Sequence, residues 1–224
     1  MQTVLITGVS RGIGKALAGK FLEEDWSVVG TFLNTHPEFS HEKFFEVPLN
    51  LANPESVQSA IDEISKLGKS VDVLINNAGV LLDEDETVLV PEKLRGTLDV
   101  NLIGTAAFTE RALALLSSDA HIVNVSSSAG SVALTREKKS HHPNFYPAYK
   151  ISKAGLNMYT ATLAARLSPE GKTVSSVHPG WVRTDMGGED APLSPEEAAV
   201  HIYELAISRP ETGGFWFKGE RLPW

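Results

Sequence analysis

The feature that most constrains this chain is the make-up of its strand-like runs. Val4-Leu5-Ile6, Ser27-Val28-Val29, Val71-Asp72-Val73-Leu74-Ile75, Ile122-Val123-Asn124-Val125 and Val174-Ser175-Ser176-Val177 are short and nearly continuous in apolar or small residues. Strands of that kind have no face to give to water, so they must lie in a sheet covered on both sides. Between the runs the apolar residues take up helical spacing. Ile13, Ala16, Leu17 and Phe21 follow the first run. Asn53 then caps a helix opened by Pro54, with Val57, Ala60, Ile61 and Ile64 on one face and Gly68 at its end. Phe44-Phe45-Glu46-Val47 supplies a further strand, and helices are expected over about 92–116 and 148–167. Ser194-Pro195-Glu196-Glu197 is a capping box that opens a helix to about Ser208. Strands alternating with helices predict an α/β fold: one doubly wound domain over residues 1–224, its sheet mostly or wholly parallel, with helices on both faces.

Composition narrows the function classes. Of 224 residues, 42% are apolar and 21% charged, enough to build a full core and too apolar for disorder. The formal charge of −8 opposes binding to nucleic acid or to an anionic membrane. The absence of cysteine excludes disulfides and thiolate metal ligands. No apolar run nears the ~20 residues of a membrane span, and Met1 to Gly8 carries no signal-peptide pattern, so a cytoplasmic protein is expected. His141-His142 reads as solvated loop, and no metal site is expected. The irregular stretches 82–90 and 135–147 are long enough to be functional or mobile.

Thr7-Gly8-Val9-Ser10-Arg11-Gly12-Ile13-Gly14 lies between the first strand and the first helix. Its glycines permit a tight turn and let phosphates reach backbone N–H groups at a helix N-terminus. Further along, Tyr149 and Lys153 are one helical turn apart and share a face. A tyrosine serving in proton transfer near neutrality needs its pKa lowered by roughly 2–3 units from ~10. A neighbouring ammonium is expected to help by charge proximity. Tyr146 lies near the same face, but Pro147 favours extended chain at that point, which makes Tyr149 the candidate.

Taken in order, these motifs resemble the short-chain dehydrogenase/reductase family. The resemblance also rests on Asn76-Asn77-Ala78-Gly79, on Asn101 in Val100-Asn101-Leu102, and on Asn124-Val125-Ser126-Ser127. Tyr149-Lys150-Ile151-Ser152-Lys153 and Pro179-Gly180-Trp181-Val182-Arg183-Thr184 complete it. The ending Gly213-Gly214-Phe215-Trp216-Phe217 is most similar to the branch of C-factor and sniffer-type carbonyl reductases. The resemblance implies a Rossmann-type fold with a sheet of about seven strands. It implies hydride transfer between a nicotinamide cofactor and a carbonyl or alcohol, with Tyr149 as general acid/base and Lys153 lowering its pKa and binding ribose. Ser127, three residues before Gly130, would orient the carbonyl, and Asn101 would hold a proton-relay water. Gly8, Ser10, Arg11, Gly12, Ile13 and Gly14 would line the pyrophosphate and adenosine side, with Asn50 and Leu51 nearby. Asn50 stands where the family often has an aspartate. Asn77, Ala78, Gly79, Pro179, Gly180, Val182 and Thr184 would line the ribose and nicotinamide side. Ser127 and Tyr149 are 22 residues apart where the family commonly shows about a dozen, a lengthening that costs little in loop closure.

The second strand ends Thr31-Phe32-Leu33-Asn34, without the acid that would hold a ribose 2′-hydroxyl, while Arg11 puts a cation in the glycine turn. NADP(H) is therefore favoured over NAD(H). The competing reading is a nucleotide-binding signalling protein with little or no turnover. Arg136, Lys138, Lys139, His141 and His142 are expected to place positive charge at the pocket mouth and favour anionic substrates. The resemblance further implies a homodimer or homotetramer in which the 92–116 and 148–167 helices pair.

Overall fold

The computed structural model describes residues 2–139 and 144–224. Its strands are β1 (Thr3–Ile6), β2 (Ser27–Phe32), β3 (Phe44–Pro48), β4 (Val71–Asn76), β5 (Leu116–Val125), β6 (Thr173–Val177), β7 (Gly214–Phe217) and β8 (Glu220–Leu222). They form one sheet in the order β3-β2-β1-β4-β5-β6-β7-β8. Neighbours from β3 to β7 run parallel, and β8 folds back antiparallel on β7. The helices are α1 (Gly12–Glu23), α2 (Pro54–Lys66), α3 (Pro91–Leu98), α4 (Thr105–Ala112), α5 (Val132–Arg136), α6 (Pro147–Leu167) and α7 (Pro195–Ser208). Asn53 caps α2 by accepting from Ser56 N at 2.8 Å, and the Ser194–Glu197 capping box of α7 is formed.

Successive strand residues point to opposite faces, and both faces are covered. Val4 and Ile6 pack with Leu17 and Phe21 of α1 and Ile202 of α7. Leu5, between them, packs on the other side with Ile61 of α2, Phe108 of α4 and Leu163 of α6. This is why the strand runs carry so few polar residues. The architecture is a Rossmann-like α/β domain with one more strand than expected.

The expected helix over 92–116 is broken. After α3 a π-helical turn runs Asp99–Gly104, then α4, then a 3₁₀ turn Leu113–Leu115, and β5 starts already at Leu116. The π turn ends in close packing: a Cβ on Gly104 would sit 2.1 Å from the Leu51 carbonyl oxygen. Thr105 Oγ1 reaches back to the Val100 carbonyl at 2.9 Å. The run Leu113-Ala114-Leu115-Leu116 keeps its apolar character across the change of element, so hydrophobic spacing has no stop signal there. Within 135–147, α5 takes the first residues and α6 begins at Pro147; His141 and His142 lie outside the described residues.

The loops after β1, β4, β5 and β6 emerge at one end of the sheet, where the strand order reverses between β1 and β4. Such a switch point leaves a crevice at the carboxyl ends of the strands.

Candidate active site

That crevice is a cleft of ≈ 540 Å³. At one end lies the turn between β1 and α1, where Gly8 and Gly12 adopt φ of +75° and +55°. A Cβ on Gly14 would lie 2.0 Å from the Gly8 carbonyl oxygen, so the helix start meets the turn only without a side chain. The Thr7 hydroxyl accepts from the N–H groups of Asn77 and Ala78, both at 3.0 Å. Asn77 Nδ2 in turn donates to the carbonyls of Thr7 and Gly8 at 3.0 and 3.1 Å. The Asn77 side chain is thus spent on clamping the turn to the end of β4.

Gly8, Ser10, Arg11, Gly12, Ile13 and Gly14 line this end, joined by Phe32 and Leu33 from the end of β2 and by Asn50 and Leu51. Asn50 is tied into a local turn, its N–H donating to Ser56 Oγ at 2.9 Å and its Oδ1 accepting from Ala52 N at 3.0 Å. Arg11 forms an ion pair with Asp185 across the cleft, and both side chains are exposed. Towards the centre the wall is Asn77, Ala78, Gly79, Tyr149, Lys153, Pro179 and Thr184. Gly180 and Val182, expected in this group, line the adjoining cavity instead. The chain turns at Gly180 (φ +89°), and the buried Val182 bridges to Leu193.

The adjoining cavity measures ≈ 410 Å³ and shares Ile13, Ser126, Tyr149, Pro179, Thr184 and Met186 with the cleft. Leu81, Phe145, Tyr146, Trp181 and Met186 make it largely apolar. Among the described residues its charged lining groups are Glu84 and Asp85, and none of Arg136, Lys138 and Lys139 belongs to its wall. Lys139 instead pairs with Glu137 at 2.7 Å. Of the cations expected at the pocket mouth, these three are absent from the cavity wall, and His141 and His142 lie outside the described residues.

Ser127, Tyr149 and Lys153 meet where the two hollows join. Lys153 Nζ lies 5.6 Å from the centre of the Tyr149 ring and donates to the Val125 carbonyl at 2.9 Å. The Ser127 hydroxyl accepts from Ala129 N at 3.2 Å and lies near enough to the Tyr149 phenol to draw its pKa down. Of its neighbours, which also line the cavity, Ser126 donates its hydroxyl to the Lys153 carbonyl and Ser128 its backbone N–H to His178 Nδ1. Gly130 brings this loop onto α6, since a Cβ there would fall 2.6 Å from the Lys153 backbone. Asn157, absent from the sequence reading, latches the same loop by donating to the Gly130 carbonyl at 3.1 Å.

Electrostatics departs from the sequence argument. Burial pushes the Tyr149 phenol up to about 12, with the Ser127 hydrogen bond pulling the other way, and burial brings the Lys153 ammonium down to about 8. In the chain by itself desolvation outweighs the ammonium. Tyr149 is a neutral phenol at neutral pH, which is the form that donates a proton.

Asn101 sits in the π turn, buried. Its Oδ1 accepts from Val80 N and its Nδ2 donates to the Val80 carbonyl, both at 2.8 Å, and to Ser152 Oγ at 3.1 Å. Both amide hydrogens are taken, so the side chain braces the end of β4 against α6.

Asp83 was missed altogether. It lies in the irregular stretch 82–90, yet its carboxylate is buried and accepts from the N–H groups of Ala148 and Tyr149. One aspartate within the acidic run Asp83-Glu84-Asp85-Glu86 carries no sequence signal of such a contact. Among the described residues, no group of three His, Cys, Asp or Glu side chains could hold a metal ion, and no helix is long and apolar enough to cross a membrane.

The fold, the glycine-lined cleft and the adjoining apolar cavity define a nucleotide-dependent oxidoreductase. Residues 2–192 match the short chain dehydrogenase family, and the chain belongs to it. It is 32% identical over 216 residues to a 3-oxoacyl-[acyl-carrier-protein] reductase of Aquifex aeolicus, covering 92% of this chain and 82% of that protein. It is 35% identical over 165 residues to the C-signal protein of Myxococcus xanthus, covering 69% and 93%. Among solved structures, a short-chain dehydrogenase/reductase of Burkholderia multivorans with bound NADP superposes with TM-score 0.89 at 27% identity, covering 100% of this chain and 99% of that one. The carbonyl reductase Sniffer of D. melanogaster gives the same score and identity over 100% of both chains.

Proposed function

We propose that this chain, a single domain over residues 1–224, is an NADP(H)-dependent carbonyl reductase acting on small, largely apolar carbonyl compounds. The observation that carries the reading is the meeting of Ser127, Tyr149 and Lys153 at the junction of a glycine-lined cleft and an apolar cavity. The backbone of the Gly8–Gly14 turn, at the start of α1, suits the pyrophosphate. Arg11 suits a ribose 2′-phosphate through its rigid donor fork, exchanging Asp185 for that anion. When bound, the reduced nicotinamide supplies the hydride.

Tyr149 holds its proton at neutral pH and delivers it to the developing alkoxide, with Ser127 orienting the carbonyl oxygen. Lys153, desolvated beneath the ring, offers positive charge that favours phenolate once the proton has left. The apolar walls exclude water from this transfer. In this reading the chain also pairs with a second copy through α6 and the segment of the π turn and α4, where Ile103, Ile151 and Met158 stand exposed. Sedimentation at twice the 24.2 kDa chain mass at micromolar concentration is the expected result.

A second reading, favoured by the 35% identity to C-signal, is a nucleotide-binding signalling protein without turnover. A panel of carbonyl compounds with NADPH and NADH, followed at the nicotinamide absorbance, separates the two. Turnover with an apolar ketone or aldehyde supports the reductase; tight NADPH binding without turnover across the panel supports the second reading.

A further inference from the structure

We propose that Asp83 is a positioning residue for Tyr149, acting by capping the catalytic helix from outside its own sequence. The proposal rests on the reading of Tyr149 as proton donor. Helix α6 starts without a cap of its own. Tyr146, at the N-cap, has left-handed φ and ψ of 45° and 61° and no side-chain cap bond, and Pro147 at the first helical position has no N–H. The next two donors are the N–H groups of Ala148 and Tyr149. Asp83 takes both, Oδ2 accepting from Ala148 N at 2.6 Å and Oδ1 from Tyr149 N at 3.3 Å. It comes from 65 residues earlier in the chain, and it is 1% exposed. Water therefore does not substitute for it.

The segment that presents Asp83 is itself fixed. Val80 is gripped by Asn101, the Glu86 carbonyl accepts from Tyr146 N at 2.9 Å, and the Glu86 carboxylate pairs with Lys93 at 2.6 Å. A rigid strap thus runs from the end of β4 to the first turn of α6 and binds the backbone of the residue that carries the phenol. The negative charge also complements the positive end of a 21-residue helix. Without the carboxylate the first turn of α6 has unpaired donors and frays, and the phenol loses its fixed place opposite Ser127.

The test compares parent, Asp83→Ala and Asp83→Asn on a confirmed carbonyl with NADPH, alongside hydrogen exchange at the Ala148 and Tyr149 amides. Asp83→Ala is expected to lower kcat by about 100-fold, the scale of a small misplacement of a reacting group, with the carbonyl KM and nucleotide Kd unchanged. The two amides exchange faster. Asp83→Asn, whose oxygen still accepts one N–H, is expected to recover most of the rate, losing roughly threefold to tenfold. Parent kcat in Asp83→Ala, a KM that rises as kcat falls, or an Asn variant no better than Ala overturns the proposal. Where Asp83→Ala does not fold, Asp83→Asn decides: a lowered kcat at unchanged KM supports it, and parent kcat overturns it. Tyr149→Phe is run beside them. If it retains turnover, the reading of Tyr149 falls and the proposal with it; if it is inactive while Asp83→Ala is fully active, the proposal alone falls.

Discussion

The two ends of the cleft are held in place by different means. At the nucleotide end the structure is mostly backbone: glycines at positive φ, Gly14 seated on the Gly8 carbonyl, and the N–H groups of Gly8 and Val9 bonded to the Thr31 carbonyl at 3.0 and 2.9 Å, with the Thr7 and Asn77 side chains as its clamp. At the catalytic end it is buried polar side chains: Asp83 on α6, Asn101 on Val80, Asn157 on the Gly130 loop. Beneath them Asn124 donates to Thr160 and accepts from Asn76 within the core. A site built from backbone is written in local glycine spacing. A site built from side-chain pairs is written in residues far apart, each of ordinary type.

The sharpest break in this comparison comes from the catalytic end. Tyr149→Phe is expected to lower turnover by roughly 10²–10⁴-fold while NADPH affinity stays near the parent value, because only proton transfer is removed. Steady-state rates and a nucleotide titration check it, and Tyr146→Phe serves as the milder control.

A second effect is acid sensitivity linked to the buried His121 behind the catalytic end. His121 on β5 is buried, its ring nitrogens paired with the Ala206 carbonyl and Ser175 Oγ at 2.9 Å each. Burial brings its pKa down from 6.5 to about 4. The unfolded chain therefore takes up the proton first as pH falls. Stability linked to this group is fully present above pH 6.5 and is lost on the way down to pH 4, in total about 3 kcal/mol. His121→Gln, less stable at neutral pH, is expected to lose this part of the acid dependence. Denaturant melts of parent and variant at several pH values across that window measure it.

The smallest effect tests the nucleotide end. Arg11→Ala is expected to weaken NADPH by roughly 10- to 150-fold, the worth of a charge-assisted hydrogen bond, and NADH very little. Equal losses for the two nucleotides would assign Arg11 to the Asp185 ion pair alone.

By itself the sequence determined the layered α/β fold, the glycine turn and the shared face of Tyr149 and Lys153. Each is a local property: strand runs without polar alternation, glycines placed between a strand and a helix, two residues one helical turn apart. Tertiary structure decided the rest. It placed Asn101 in a π turn whose Gly104 packs against Leu51, and it seated Gly180 and Val182 in the wall of the adjoining cavity. It put Glu84 and Asp85, rather than Arg136, Lys138 and Lys139, into the cavity wall. It also reversed the sign of the Tyr149 shift, because desolvation depends on everything packed around the phenol and not on the lysine four residues away. Asp83 belongs to the same class. Its partners lie 65 and 66 residues along the chain, and no spacing rule reaches that far; only the folded sheet brings the end of β4 to the first turn of α6.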